Sequence, residues 1–498
     1  MKRILLSLFF LAGLSLPAFA QLGGEVTGDS ARMAALAGAG LAGGEDLLEA
    51  SHNPAMLGFV IHPGAGFSLD ANLRGFAVPV SGVSASGEDF TMTDTAALAP
   101  FLALGLPAWG PFRFSFAIRP TSGGKASMVR ETNLIPDESV PGSGVFDVPR
   151  FDEVLTANEM VQLAGEPTMS FFVTPELSIG LGASFRDTTF NMKSAADVPF
   201  SDMKGDSGIG GLTYGDLMSG SGHEFFQAEF EGSLEGNLMT CFQVGAAWQV
   251  NPSSRVGFWY RLPSNSIDLE GTVHVDVSAD LGDIIDVLGV PYEPGTESNF
   301  DISIPDIRFP AQLGLAFAHG LTQRDRFHGQ VIWTQWSQSF DGWVATLNNP
   351  DSPEWQDFLG GDDPSTSVNL DMVWANTLAF SFGWEHDFEW LPRAWRHQRE
   401  QRTRNLDSYA DLTFRLGLAW SNNPIQGTAM AGLMPFNPLH VGAGLSRRTE
   451  AGGEWLLSSV VALPASWTAG QNKMISDFSG DTYSQFSAAI VLGYRYSW

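Results

Sequence analysis

The 498-residue chain carries 55 Asp and Glu against 27 Lys and Arg, for a formal charge of −28. That balance offers no basic face to phosphates and excludes nucleic acid as a partner. Charged residues are only 16% of the chain, where soluble domains carry roughly 25%, and the single cysteine, Cys241, excludes an intramolecular disulfide.

At the amino terminus, Lys2 and Arg3 precede an apolar run from Ile4 to Leu14, then Pro17 and Ala18-Phe19-Ala20. A charged start, a short apolar run and a small-residue cleavage site predict an export signal over residues 1–20. After it, no apolar stretch reaches the ~18 residues a membrane-crossing helix needs. Residues 21–62 read as a separate unit. Small residues crowd Ala34–Gly43, including Gly38 and Gly40, and Asn53-Pro54-Ala55 follows. Glycine permits close backbone packing, and Pro54 fixes its own φ while holding Asn53 extended. This segment is expected to fold as a compact plug, or hatch, inside whatever follows.

From residue 63 onward, apolar residues alternate with small or polar ones. Phe112, Phe114, Phe116 and Ile118 alternate with Arg113, Ser115, Ala117 and Arg119; Ile179, Leu181, Ala183 and Phe185 with Gly180, Gly182, Ser184 and Arg186. The same pattern recurs at Phe242–Gln249, Val256–Arg261, Phe309–Phe317, Leu378–Trp384 and Phe414–Trp420. Period-two alternation puts one bulky face and one small face on each strand, which predicts an all-β, transmembrane antiparallel barrel with apolar residues outside. Fourteen segments are counted, from Phe67–Val80 to Tyr483–Trp498, with Phe112–Pro120, Ala164–Val173 and Leu177–Met192 as the third to fifth. The stretch from Thr121 to Ala164 has room for a further hairpin or a helix around Phe151–Leu163. Short connectors such as Asn251–Ser254 alternate with long ones, as periplasmic turns alternate with extracellular loops. The exception is Glu389–Leu406, a long arginine-rich connector on the turn side, read as a solvated excursion. The chain closes on Tyr494, Tyr496 and Trp498, aromatics suited to the rim of a bilayer and, in barrels of this class, to the assembly signal.

Gly38-Ala39-Gly40, Glu45-Asp46 and Asn53-Pro54-Ala55 together resemble the hatch signature of the FadL family of outer-membrane transporters. Leu177–Gly182, Arg255–Leu262 with Asp268–Gly271, Phe309-Pro310-Ala311, Trp333–Phe340 and Phe414–Pro424 resemble later strands of that family in its own order. The resemblance implies a 14-stranded barrel in the Gram-negative outer membrane, plugged by the hatch. It also implies passive uptake of fatty acids or hydrocarbons through a lumenal site, hatch movement and a lateral exit. Expected partners are hydrophobic small molecules, outer-membrane lipid with lipopolysaccharide, and the barrel-assembly machinery; no cofactor is expected.

A fatty-acid carboxylate needs a cation. Arg186 is the first candidate, with Thr188 and Phe190 on its face and Lys193 nearer the extracellular end; Arg113, Arg119 and Arg261 also point inward by alternation. Ile284–Val290 and Phe225–Phe230 are candidates for an outer loop groove. A barrel that shuttles a surface protein without a small substrate is the alternative reading. Enzymatic chemistry finds no support in a G-x-S-x-G or H-E-x-x-H pattern; His52 reads as a polar hatch residue and Asp362-Asp363 as solvated loop charge.

Overall fold

The computed structural model describes residues 21–22, 25–26, 28–61, 66–85, 87–93, 96–131, 153–219, 225–276, 297–360, 364–370, 372–388, 412–425, 437–449, 453–471, 474–475 and 478–498. The expected export signal, the groove candidate 284–290, Asp362-Asp363 and the arginine-rich connector 389–406 lie outside them.

Fourteen antiparallel strands form one closed barrel. In chain order the first is Ser68–Ala77 continued by Val80–Val83, and the second Asp89–Thr93 with Ala96–Gly105. The third to fifth are long and unbroken: Phe112–Glu131, Glu153–Thr174 and Leu177–Pro199. The sixth to tenth each come in two pieces: Phe225–Gly236 with Met239–Asn251, Ser254–Arg261 with Ile267–Asp276, Glu297–Ile307 with Gln312–Gly320, Asp325–Thr334 with Val344–Asn348, and Ser365–Asn369 with Thr377–Phe388. The last four are Leu412–Ser421, Leu439–Arg448, Glu454–Thr468 and Thr482–Ser497. The final strand pairs with the first from Ala488–Ala77 to Ser497–Ser68, so the wall has no free edge there. Closure gives each strand a neighbour on both sides, as a wall standing in lipid requires.

Orientation follows the alternation. Ile179, Leu181 and Phe185 are exposed on the outer surface, as are Phe242, Trp248, Phe258, Leu315, Phe382, Leu418 and Ile490. Arg113, Arg119, Arg186 and Arg261 face inward and are buried. Tyr494, Tyr496 and Trp498 form an outward aromatic run, with Tyr494–Tyr496 stacked at 6.4 Å and Tyr496–Trp498 edge-on at 5.0 Å.

Two expectations are corrected. Among the described residues, 153–163 are strand and not helix: Glu153–Thr174 pairs with a third strand that runs on to Glu131. Beyond the lipid-facing height these strands no longer alternate bulky with small, so the pattern loses them. Phe309 was read on the outer face with Leu313, yet it is buried inside. The eighth strand breaks at residues 308–311, where Pro310 has no N–H to give, and the face changes phase across the break.

The lumen on the short-turn side is filled by residues 28–61. Ser30 accepts from Met33 N at the start of helix Ala31–Ala35, Asp46 accepts from Leu48 N ahead of Leu47–Ser51, and Asn53 accepts from Ala55 N ahead of Pro54–Met56. Each cap satisfies an end of a helix too short to hold itself. Wall glycines let this backbone touch the barrel: a Cβ on Gly180 would meet Pro54 and Ala55, one on Gly245 would meet Asn53, and one on Gly417 would meet Leu36 and Ala37, all under 3.0 Å. Trp259, fully buried, packs with Met33, Leu41 and Ala42 of the hatch. Gly417→Val should therefore unseat the hatch without opening the wall. The expected outcome is raised permeability to hydrophilic solutes, with heat-modifiable migration of the folded barrel unchanged.

Candidate functional site

Two buried ionic clusters hold the hatch. In the first, Glu385 of the tenth strand accepts from Arg326 at 2.9 Å, Arg415 at 2.7 Å, Arg32 of the hatch at 2.9 Å, and lies 3.1 Å from His328. Glu385 faces Arg326 and Arg415 directly in register, so the sheet itself sets the cluster. Arg32 also contacts Glu49 and lies 3.4 Å from Glu45, both in the hatch. Beside it, Arg495 links Asp70 at 3.2 Å and Glu454 at 3.5 Å.

The second cluster is smaller. Arg119 of the third strand makes a two-pronged contact with Glu166 at 2.7 and 3.1 Å and donates to hatch Asp29 at 2.6 Å. His52 lies 2.8 Å from the same Asp29 oxygen. Burial pushes the Asp29 carboxyl up, but the charges of Arg119 and His52 outweigh it and bring its pKa down to about 2. Asp29 is thus a buried anion at neutral pH.

This second cluster sits at a break in the wall. The second and third strands pair from Leu102–Ile118 to Gly105–Ser115, and again at Met92–Met128 and Thr93–Ser127. Between those ladders, among the described residues, 96–101 and 119–126 do not pair. The same register continued would set Pro100 opposite Pro120, and neither has an N–H to donate. The first strand, in contrast, pairs with the second without interruption from Ser68–Gly105 to Ala77–Ala96.

On the far side of the hatch from the short turns, the interior is apolar. Phe340 stacks on Trp374 at 4.5 Å and on Trp343 at 4.8 Å, with Trp336 against Trp374 at 4.9 Å. Phe190, Phe230, Phe300 and Phe309 are buried in the same core. Arg186 lies among them, its guanidinium 5.0 Å from the centre of the Phe309 ring. It donates to Ser184 at 3.0 Å and to Gln162 at 3.4 Å, and its Nη2 is buried without a hydrogen-bond partner.

The residues singled out in the sequence fare differently. Asn53, Pro54, Ala55, Gly38 and Gly40 all lie in the buried hatch; Gly38 takes φ +90 and donates to Met33 O at 2.8 Å, and Gly40 O accepts from Arg32 at 3.3 Å. Arg186 and Phe190 share the lumen. Lys193 is a correction: seven positions on from Arg186, it falls on the opposite face, partly exposed and paired with Glu231 at 2.6 Å. Phe225–Phe230 is strand rather than loop. The reading missed Asp29, Arg32 and the Glu385 cluster. Alternation alone places Glu385, Arg326 and Arg415 inward, but the strand register that joins them is not visible in one dimension. Glu385→Gln leaves three arginines around a neutral group and should lower stability by about 3–5 kcal/mol, the usual cost of breaking a buried ion pair; thermal unfolding in detergent checks it.

Residues 156–394 match the family described as outer membrane protein transport protein (OMPP1/FadL/TodX). The fold is similar to the toluene transporter TodX of Pseudomonas putida, with a TM-score of 0.66 at 14% identity over 95% of this chain and 99% of that one. It is also similar to the Ralstonia pickettii toluene transporter TbuX (0.61, 14%, 94% and 99%) and to a Pseudomonas aeruginosa FadL homologue (0.60, 15%, 97% and 99%). No curated sequence matches the chain. A plugged 14-stranded barrel and the match over residues 156–394 agree in pointing to the OMPP1/FadL/TodX family of outer-membrane transport proteins.

Proposed function

We propose that this outer-membrane protein takes up hydrophobic molecules passively, holds them in the apolar lumen beyond the hatch, and releases them sideways between the second and third strands after the hatch moves. The observation that carries this reading is the unpaired stretch between residues 96–101 and 119–126, which adjoins the hatch at the depth of the lipid. An axial path would have to carry an apolar solute past the buried charges around Glu385. A sideways path leads it into lipid, where it loses no hydrophobic stabilisation. Valine at Pro100 together with threonine at Pro120 restores two donors to the facing segments. That variant should pair across the break, and uptake of radiolabelled dodecane by cells expressing it should drop towards the level of cells without the protein.

The substrate class is read from Arg186. Its partnerless Nη2, the Phe309 ring beneath it and Phe190 nearby suit the carboxylate end of a long-chain acid. A charge-assisted hydrogen bond contributes about 1.5–3 kcal/mol, roughly ten- to a hundredfold in affinity. Arg186→Met should weaken oleate binding by about that factor and leave dodecane binding nearly unchanged, as read by titration of the detergent-purified protein. Equal loss for both ligands would count against a head-group role for Arg186.

A further inference from the structure

The two ionic clusters are unequal, and the inequality has a direction. Arg32 joins the Glu385 cluster on the ninth, tenth and eleventh strands through several contacts at once. On the other side, residues 28–31 reach the wall through single hydrogen bonds, among them Ala31 N donating to Asn72 of the first strand at 3.0 Å. Gly28 O accepts from Arg74 of the first strand at 3.0 Å, and Asp29 accepts from Arg119 of the third at 2.6 Å. Residues 28–29 thus strap across the second strand from one neighbour to the other, over the inward Ala99 and Phe101, beside the wall break.

We infer that the Asp29–Arg119 ion pair is a latch: it holds the leading end of the hatch over the gap between the second and third strands, and its opening sets the rate of lateral release while Arg32 stays anchored to Glu385. This rests on the transport reading above. Two features of the site favour it. Arg119 keeps its two-pronged contact with Glu166 when Asp29 leaves, and Asp29 keeps His52. Neither ion is stranded, so parting them costs far less than breaking an isolated buried pair. Ser184 donates to Glu166 at 2.9 Å, fixing the receiving half of the latch to the fifth strand.

Two variants test it in cells expressing the full chain. Asp29→Asn removes the latch charge and should raise dodecane uptake by about three- to tenfold, the range for one weakened charged hydrogen bond. Nitrocefin hydrolysis by a periplasmic β-lactamase, a measure of hydrophilic leak, should not change; a hatch that had merely come loose would raise both. In the second variant, Asp29→Cys and Arg119→Cys are combined with Cys241→Ala and bridged by a short bismaleimide. Bridging should abolish dodecane uptake while dodecane still binds the purified protein, and the unbridged protein should transport. Equal uptake with and without the bridge would overturn the latch, as would Asp29→Asn raising leak and uptake together. If Asp29→Asn does not assemble, the bridged pair alone decides. Wild-type protein that carries no dodecane and no oleate would instead overturn the transport reading, and the latch with it.

Discussion

Lipid offers no hydrogen bonds, so a wall standing in it must satisfy its own backbone, and every feature of this barrel is arranged around that demand. The strands close on themselves through the first and the fourteenth, and the inward charges around Glu385 and Glu166 find partners in the lumen. Where the ladder lapses, between the second and third strands, the cause is covalent: two facing prolines lack the donor. At this lapse the hatch meets the wall from within, Asp29 accepting from Arg119 at 2.6 Å.

The hatch itself is held by shape and charge in different proportions on its two sides. Inward glycines at Gly180, Gly245 and Gly417 let its backbone lie against the wall with no side chain between. Fully buried ions around Glu385 then fix its position, since a guanidinium removed from water must keep its carboxylate. Such charges add little net stability compared with an apolar core of equal volume. What they supply is a single seating, because any other placement strands a charge.

Much of this was legible one residue at a time. Strict alternation gave the strand faces, so Ile179, Leu181 and Phe185 were correctly set outside and Arg113, Arg119, Arg186 and Arg261 inside. The Gly38-to-Ala55 segment was recognisable as a plug because small residues permit close packing and Pro54 fixes the chain beside Asn53. What escaped depends on relations between distant residues. Glu385 gathers Arg32, Arg326 and Arg415 only once the strand register is fixed. Phe309 turned inward because a proline break shifts the phase, and Lys193 lost its place beside Arg186 because odd and even positions part company on a straight strand. The upper halves of the third to fifth strands were hidden because, past the lipid, nothing forces bulky and small residues to alternate.

The interrupted ladder has a mechanical side. A pulled barrel tears at the seam with the fewest bonds, and in most barrels of continuous wall all seams are comparable. Here the closing seam carries ten partners in one ladder and four in the other, whereas the seam beside it but one, at Pro100 and Pro120, carries four and two. Under tension the sheet would part there first, leaving the amino-terminal pair of strands attached to the carboxyl-terminal one.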